Sequence, residues 1–441
     1  MLKKIAFRVP LIALLAMAAG CVVHPDGERD LRSLADKAGK TFTKTELPQN
    51  ATPEQLVEFA MNNSGELQQR YWEWRSAIEQ IPQDGSQTAS LNLTAGATIT
   101  RGRSGLSSTM LGLSNDPMTD IKVPAKLDAG AKQALQTARA AGQRFIKARF
   151  DLRAKVLQAY YDYALNAQLI DLEQSNLELL QTMVFVTQSR NRAGAAGQQE
   201  VLKAIDEADL SRNDLQNMRS QSPAELAALN ALLGRAADAP LPPPRQFPTP
   251  AAIQYSDDQL LDLAKRRNPE LLAQADELLA RQQAIRQAKL QYIPDFNLSG
   301  STDLMGITQS ILGQATIPLF RHDAIEAAIA QAQANLKSSQ SMRRQAGDDL
   351  AAQMVADLAT LRDADRQLLL FEQTIEPRAQ RVVDLDRSAY EAGRETLLDL
   401  LDSQRFLISI RRLAANLKAE RGKRLADIEA IAAVELNGER T

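Results

Sequence analysis

The sequence predicts a mainly α-helical protein with a small β part, built from duplicated long α-helical hairpins. Three observations support this prediction. Glycine and aromatic residues are few, whereas Ala, Leu, Gln and Arg are abundant, as is typical of helices. Two helical patterns each continue for roughly 65 residues, which corresponds to about 100 Å of helix. The same order of elements is found on both sides of a proline-rich stretch at residues 235–256.

Composition excludes several classes of protein. The 52 Lys and Arg residues nearly balance 54 Asp and Glu residues, so the net charge of −2 argues against a dedicated nucleic-acid binder. A hydrophobic fraction of 44% is too low for a bundle of membrane helices. A single cysteine excludes an intrachain disulfide framework and a cysteine-based zinc or iron–sulfur cluster.

Residues 1–20 predict a signal peptide, because a basic start precedes a short apolar stretch and small residues. The sole cysteine, Cys21, follows directly, and residues 18–21 resemble a bacterial lipobox, in which the cysteine is acylated. An ordinary signal peptide with an incidental cysteine is the alternative. We expect residues 21–50 to form a lipidated N-terminal extension. Val22, where an Asp would resemble an inner-membrane retention signal, favours the outer membrane.

The element order predicts a first repeat at residues 51–234 and a second repeat at residues 257–435. The prolines of residues 235–256 predict an extended linker between the repeats. We expect residues 436–441 to form a C-terminal tail.

In the first repeat, the pattern predicts a helix over residues 53–81, with Thr52 as its N-cap and Pro82 as its end. A long helix is predicted over residues 127–192. Pro223 predicts a break in the helix that follows, because proline removes a backbone donor.

The second repeat predicts the same series. Ser256 caps a helix that is expected to continue to Tyr292, and a long helix follows over residues 323–391. We expect a kink or break in that helix at Pro377. Residues 395–435 complete the repeat as a further helix.

Apolar residues in both long helices keep a spacing typical of coiled coils. The positions are Phe145, Leu152, Val156, Tyr160 and Tyr163 in the first repeat, and Ile325, Ala328, Ala332 and Leu336 in the second.

Four segments show the alternation of β-strands, at residues 91–100, 120–127, 295–302 and 314–319. Ten residues suit a tilted strand that crosses a membrane, although a half-buried soluble sheet alternates identically. Four strands cannot close a membrane barrel, and open strand edges are excluded from lipid. If these strands span, several copies of the chain must therefore share one barrel.

Residues 390–404, which include the turn at Gly393, resemble the turn into the last long helix of the outer membrane efflux (TolC-like) family. Residues 317–320 and 293–296 are similar to the starts of that family's second hairpin and outward strand. The resemblance covers nearly all of residues 50–435 in element order, and the lipobox is common in the family's lipoprotein branch. It implies a homotrimer, in which the hairpins form an α-barrel tunnel topped by a shared 12-stranded transmembrane β-barrel.

The resemblance also implies a function. Family members are passive ducts that dock an inner-membrane pump through a periplasmic adaptor. We therefore expect a lipid-anchored protein in the outer membrane of a Gram-negative bacterium that extends into the periplasm. It would carry small molecules outward without a cofactor or a resident metal.

By position in the family, Asp399 and Asp402 are expected to line the periplasmic constriction, with Tyr390 in the network that holds it closed. Three copies would form two carboxylate rings that attract cations. The alternative is that both are solvated helix-surface carboxylates. In the first repeat, Lys203 stands at the position equivalent to Asp402 and carries the opposite charge. A pair between Lys203 and Asp402 across the tip would tighten closure. At the position of Glu395, the best-known members of the family carry a basic residue. This chain therefore departs at Glu395 from the contacts that close the tip in those members.

The turns at Gly194 and Gly393, which lie 199 residues apart, are the expected adaptor contact. The sequence contains no His/Cys cluster, nucleophile elbow or P-loop, so we do not expect an enzyme. Two other readings stay open. A periplasmic adaptor lipoprotein would have one hairpin between two halves of a β domain, and a coiled-coil scaffold would never span the membrane.

Overall fold

The computed structural model describes residues 22–43, 46–48, 50–87, 111–113, 122–244, 247, 253, 255–302 and 309–436. The chain divides into two compact units, which are described separately below. Unit 1 comprises Met1–Gly39, Arg70–Phe145 and Glu270–Ala346. Unit 2 comprises Lys40–Gln69, Ile146–Pro269 and Gly347–Thr441.

The described residues are mainly helical, as predicted. The helices are α1 Glu28–Gly39, α2 Pro53–Asn63, α3 Gly65–Gly85, α4 Pro124–Arg192, α5 Gln198–Leu232, α6 Asp257–Arg267, α7 Pro269–Leu290, α8 His322–Leu370, α9 Glu376–Glu391 and α10 Leu397–Ala432. A π-helical turn, Phe371–Ile375, joins α8 to α9. Among these helices, none combines the length and apolar character that crossing a membrane requires.

Three strands of unit 1 form an antiparallel sheet in the order β1 (Leu111–Leu113), β2 (Asp295–Thr302), β3 (Gln309–Thr316). The predicted strand at residues 295–302 is confirmed. The strand predicted at residues 314–319 instead ends at Thr316, because Pro318 cannot donate to a ladder.

The strand predicted over residues 120–127 is wrong from Pro124 onward, where α4 begins. Proline suits the first helical position, because the amide that it lacks would have no helical partner there. The strand predicted at residues 91–100 lies outside the described residues.

The first predicted helix is two helices. Thr52 caps α2 with a reciprocal capping box to Gln55, as predicted. The chain then breaks at Ser64, whose amide donates to Ala60 (2.8 Å) and whose hydroxyl accepts from the amide of Leu67 (3.3 Å). The expectation that Pro82 ends the helix is wrong, because α3 continues through it to Gly85.

The same arrangement of caps and helix break is found 204 residues later. Ser256 caps α6 through Gln259, as predicted. The expected continuous helix to Tyr292 is wrong, because the chain breaks at Asn268, whose amide donates to Ala264 (3.0 Å). Pro269 then begins α7, and the residue before a proline avoids the α conformation.

Prolines have opposite effects in the two hairpins of unit 2. The predicted break at Pro223 is wrong: α5 is continuous through this exposed position and buries Leu215 and Leu229 on either side. The irregularity expected at Pro377 is confirmed. The π turn lies just before it, with the amide of Glu376 donating to the carbonyl of Phe371.

The predicted apolar stripe of α4 is buried at all five positions. Phe145 stacks on Trp74 in unit 1, with ring centroids 5.6 Å apart. In α8, Ile325 is buried, whereas Ala328, Ala332 and Leu336 are only partly buried in the single chain.

Candidate functional site

Two glycine turns in unit 2 have the same geometry. Gly194 follows α4 with φ of +73°, and Gly393 follows α9 with φ of +72°, a conformation that glycine adopts without strain. In the first turn, the amide of Ala195 donates to the carbonyl of Arg190 (2.8 Å). In the second, the amide of Arg394 donates to the carbonyl of Ala389 (2.9 Å). Each pair of atoms is thus repeated after 199 residues.

Tyr390 connects the two turns. Its side chain is 2% exposed, and its hydroxyl lies 3.0 Å from Oγ1 of Thr187 on α4. The guanidinium of Arg190 lies 4.4 Å from the ring centroid and also donates to the backbone carbonyl of Tyr390. The last turn of α4 is therefore held to the last turn of α9 through one aromatic residue.

An apolar cluster of ten buried residues lies behind this contact. It comprises Leu177, Leu180 and Met183 of α4, Ala204, Ala208 and Leu215 of α5, and Tyr390, Leu397, Leu400 and Leu401 of α9 and α10. Because α5 and α10 bury these apolar residues against α4 and α9, the opposite faces of the two helices are the ones that are exposed.

The two expected pore carboxylates are exposed on α10. The amide of Asp399 donates to Oγ1 of Thr396 (3.3 Å), and the Thr396 hydroxyl donates back to the carboxylate, so Asp399 helps to cap the helix. One turn later, Oδ1 of Asp402 lies 3.4 Å from Nη1 of Arg405.

Within the described chain, the partner of Asp402 is Arg405 on the same helix. The pair of Lys203 with Asp402 across the tip stays a prediction. Lys203 is exposed on α5. Glu207 of α5 and Arg405 of α10 form an ion pair between the helices, in which Nε donates to Oε1 (2.9 Å) and Nη2 donates a second bond. Glu207 raises the pKa of Arg405 by accepting these bonds.

Sequence reasoning also missed a buried polar cluster among α4, α5 and α10. The Glu173 side chain is 1% exposed, accepts from the Ser211 hydroxyl (2.6 Å) and the Asn176 amide (3.2 Å), and pairs with Arg412. These residues line a cavity of about 550 Å³. In the sequence each of them reads as part of a solvated helix face, and no local signal distinguishes them.

Metal ligation has no candidate in the part of the chain that the structure describes, where no group of three His, Cys, Asp or Glu side chains is arranged to hold an ion. Cys21 lies outside the described residues. Just after it, the amide of Val23 donates to the carbonyl of Gly85 (2.9 Å), and Arg32 of α1 pairs with Glu79 of α3 (2.7 Å). The chain that follows Cys21 is therefore attached to α3.

Residues 260–434, which contain the second glycine turn, match the family model of the outer membrane efflux protein. The predicted family resemblance is confirmed. The matched segment covers α8, α9 and α10 in full, together with β2 and β3.

Two curated relatives of the efflux family are similar in sequence. The pyoverdine export outer membrane protein OpmQ of Pseudomonas aeruginosa is 27% identical over 255 residues, which are 56% of this chain and 53% of OpmQ. The cobalt-zinc-cadmium resistance protein CzcC of Cupriavidus metallidurans is 23% identical over 302 residues, which are 66% of this chain and 70% of CzcC. The chain thus matches about half of the length of OpmQ.

Solved structures show the same fold. A membrane protein from Pseudomonas aeruginosa superposes with a TM-score of 0.75 at 20% identity, covering 89% of this chain and 99% of its own. The outer membrane protein VceC of Vibrio cholerae superposes with a TM-score of 0.73 at 18% identity, covering 87% of this chain and 96% of its own.

Proposed function

We propose that the chain is the outer-membrane channel component of a tripartite efflux system and acts as a passive duct for small molecules. The observation that carries this proposal is the repeated glycine-turn hairpin, held together by Tyr390 and Thr187, in a chain whose residues 260–434 match the efflux family. In this proposal three copies assemble, close their strands into one barrel and continue it as a helical tunnel. Cys21 carries the lipid anchor.

The turns at Gly194 and Gly393 would contact the periplasmic adaptor, which docks the inner-membrane pump. Both turns lie at the ends of hairpins. At Gly194 there is open space beside the backbone, since an added Cβ would meet no described atom within 4 Å. Tyr390 holds the hairpins together, and Asp399, Asp402 and Lys203 provide exposed charge beside it.

Planar-bilayer conductance of the purified protein, with its oligomeric mass, tests the proposal. We expect a trimer with discrete single-channel currents. A monomer that never conducts would contradict the proposal and favour the adaptor or the scaffold. The relatives named for pyoverdine export and for cobalt, zinc and cadmium resistance suggest pyoverdine and the ions of these three metals as the first cargoes to assay.

The carboxylates are tested separately. Asp399→Ala combined with Asp402→Ala should raise conductance or reduce cation selectivity, because two rings of negative charge would be lost. Asp209→Ala removes an exposed carboxylate from α5, next to its partner Arg212, and should change neither property. If the double variant conducts like the parent, the two residues do not line the constriction.

A further inference from the structure

Four charged side chains of unit 2 form one cluster between α8 and α10. Nη1 of Arg424 lies 3.2 Å from Oδ1 of Asp357 on α8 and 3.2 Å from Oδ2 of Asp427 on α10. Nε of the same guanidinium lies 2.7 Å from Oε1 of Glu420. One cation therefore serves three carboxylates, and the fully ionised cluster has two uncompensated negative charges.

Asp357 is the most buried member. Its side chain is 9% exposed, and its Oδ2 is shielded from solvent without a hydrogen-bond donor among the described residues. Met354 and Leu358, which flank it on α8, are buried together with Ile428 of α10. A carboxylate oxygen in such surroundings loses its hydration without replacement, which disfavours the ionised form.

We propose that Asp357 and Asp427 form a proton-binding site that takes up one proton between them and thereby strengthens the attachment of α8 to α10. The proton comes from solvent and converts one carboxylate to a neutral carboxyl group, so that the cluster changes from two uncompensated negative charges to one. A protonated Asp357 also becomes a donor where the ionised form had an oxygen without a partner. This inference goes beyond the proposed channel function and does not depend on it.

The surrounding charges support the assignment. Burial raises the pKa of both Asp357 and Asp427, the charge of Asp357 raises that of Asp427 further, and Glu420 raises both. Arg424 opposes these effects on both groups, and the amide of Gln158 on α4, which donates to Asp427, lowers the pKa of that carboxyl. Three further basic residues of α4 and α10 pair with other carboxylates: Arg153 with Glu429, Lys423 with Asp162, and Arg421 with Asp365.

The sign of the pH dependence follows from linkage. Because the pKa values of both groups are raised above the ordinary value of 3.8, the folded chain binds a proton more tightly than the unfolded chain. The stabilisation is complete below that ordinary value and is lost as the pH rises through the pKa values of the folded state.

The test is thermal unfolding of the full chain in detergent between about pH 4.5 and 7.5. Asp357→Asn and Asp427→Asn mimic the protonated group, so each should raise Tm at the upper end of this range and flatten its dependence on pH. The matched control is Asp363→Asn on the same helix, because Arg366 and Gln367 lower the pKa of this exposed carboxyl. The control should keep the parental slope and should not raise Tm.

Sharing of one proton predicts that the gains are not additive, because the first substitution already removes the need for protonation. The double variant should therefore gain much less than the sum of the single variants. Infrared difference spectra of the folded protein provide a second measurement. A neutral carboxyl band should disappear as the pH is raised, and its amplitude should be smaller in the double variant than in the parent, because burial also raises the pKa of Glu225 and Asp276. A lower Tm for Asp357→Asn at the upper pH, an unchanged slope, or no titrating band would each overturn the proposal. None of these readouts depends on conductance.

Discussion

The hydroxyl oxygen of Tyr390 lies 3.0 Å from Oγ1 of Thr187, and both residues are buried. This contact joins residues that are 203 positions apart in the chain. Because both atoms are removed from water, neither can replace its partner with solvent when the bond is lost.

Tyr390→Phe should therefore lower the free energy of unfolding by about 1 kcal/mol, because it removes the hydrogen bond and keeps the ring beneath Arg190. Thr187→Val removes the same bond from the other side. In a double-mutant cycle read by denaturant unfolding, the combined variant should be less destabilised than the sum of the two single variants. Strict additivity would show that the two groups do not interact. If the proposed function is correct, Tyr390→Phe should also raise the open probability in a planar bilayer.

The pair of Glu207 and Arg405 should connect α5 to α10 through charge. Arg405→Gln is expected to lower the free energy of unfolding by up to about 1 kcal/mol, because the pair is partly exposed and water screens it. Exchange of the two residues, Glu207→Arg with Arg405→Glu, should restore most of the loss.

Arg212→Gln is the matched control for that experiment, because Arg212 pairs with Asp209 of its own helix. It should leave the connection between the helices unchanged. The loss in Arg405→Gln should also shrink as salt is added. An exchange variant that is less stable than either single variant would show that geometry, and not charge, matters at this position.

Gly422 should be intolerant of a side chain. A Cβ at this position of α10 would overlap the ring of Tyr161 on α4, so we expect Gly422→Ala to destabilise the protein by about 1–3 kcal/mol. Gly347→Ala is the control, because a Cβ there meets no described atom within 4 Å and α8 is regular around it. That variant should stabilise the protein by about 0.5–1 kcal/mol. Thermal unfolding of both variants measures the contrast, and equal shifts would contradict it.

The two capping boxes should contribute equally to stability. Thr52→Ala and Ser256→Ala each remove a side-chain acceptor for the third amide of a helix, at a cost of about 1 kcal/mol. Thr52→Ser retains the acceptor and should be close to neutral. Equilibrium unfolding of the three variants tests the prediction, which fails if either alanine variant is as stable as the parent.

Local signals in the sequence were sufficient for most helix boundaries. Thr52 and Ser256 form hydrogen bonds with residues three positions away, and the glycines at 194 and 393 accept a positive φ. The residues that determine these helix ends therefore lie within a few positions of each other in the sequence. The helix continuations through Pro82 and Pro223 could not be predicted in this way. Packing on both sides outweighs the loss of one backbone bond at each proline, and that packing is not visible locally.

The residues of the candidate site also fall into two groups, those that a local motif points to and those that only the folded structure brings together. Tyr390 and Asp399 can be singled out from the sequence as candidates because they belong to a contiguous motif around Gly393. Glu207 with Arg405 and Glu173 with Arg412 were not, because their members are separated by 198 and 239 residues. The pairing of charged residues that lie so far apart in the chain depends on how the three helices are rotated about their axes relative to one another. The hydrophobic periodicity of a single helix does not reveal that rotation.

The π turn at Phe371–Ile375 has a consequence for how the second hairpin tolerates changes in length. A π turn is closed by a hydrogen bond between residues i and i+5, so it contains one more residue than an α-helical turn. The extra residue is accommodated within the turn, and the side chains that follow lie on the same face of the helix as those before it. Ala379 and Val383 thereby stay against Leu407 of α10. Deletion of one residue from this turn would convert it to regular helix and keep the contact of Ala379 and Val383 with Leu407. An identical deletion in the regular part of α9 would rotate every later residue of that helix by about 100°. The π turn is thus a site within the second hairpin at which a deletion of one residue can be accommodated.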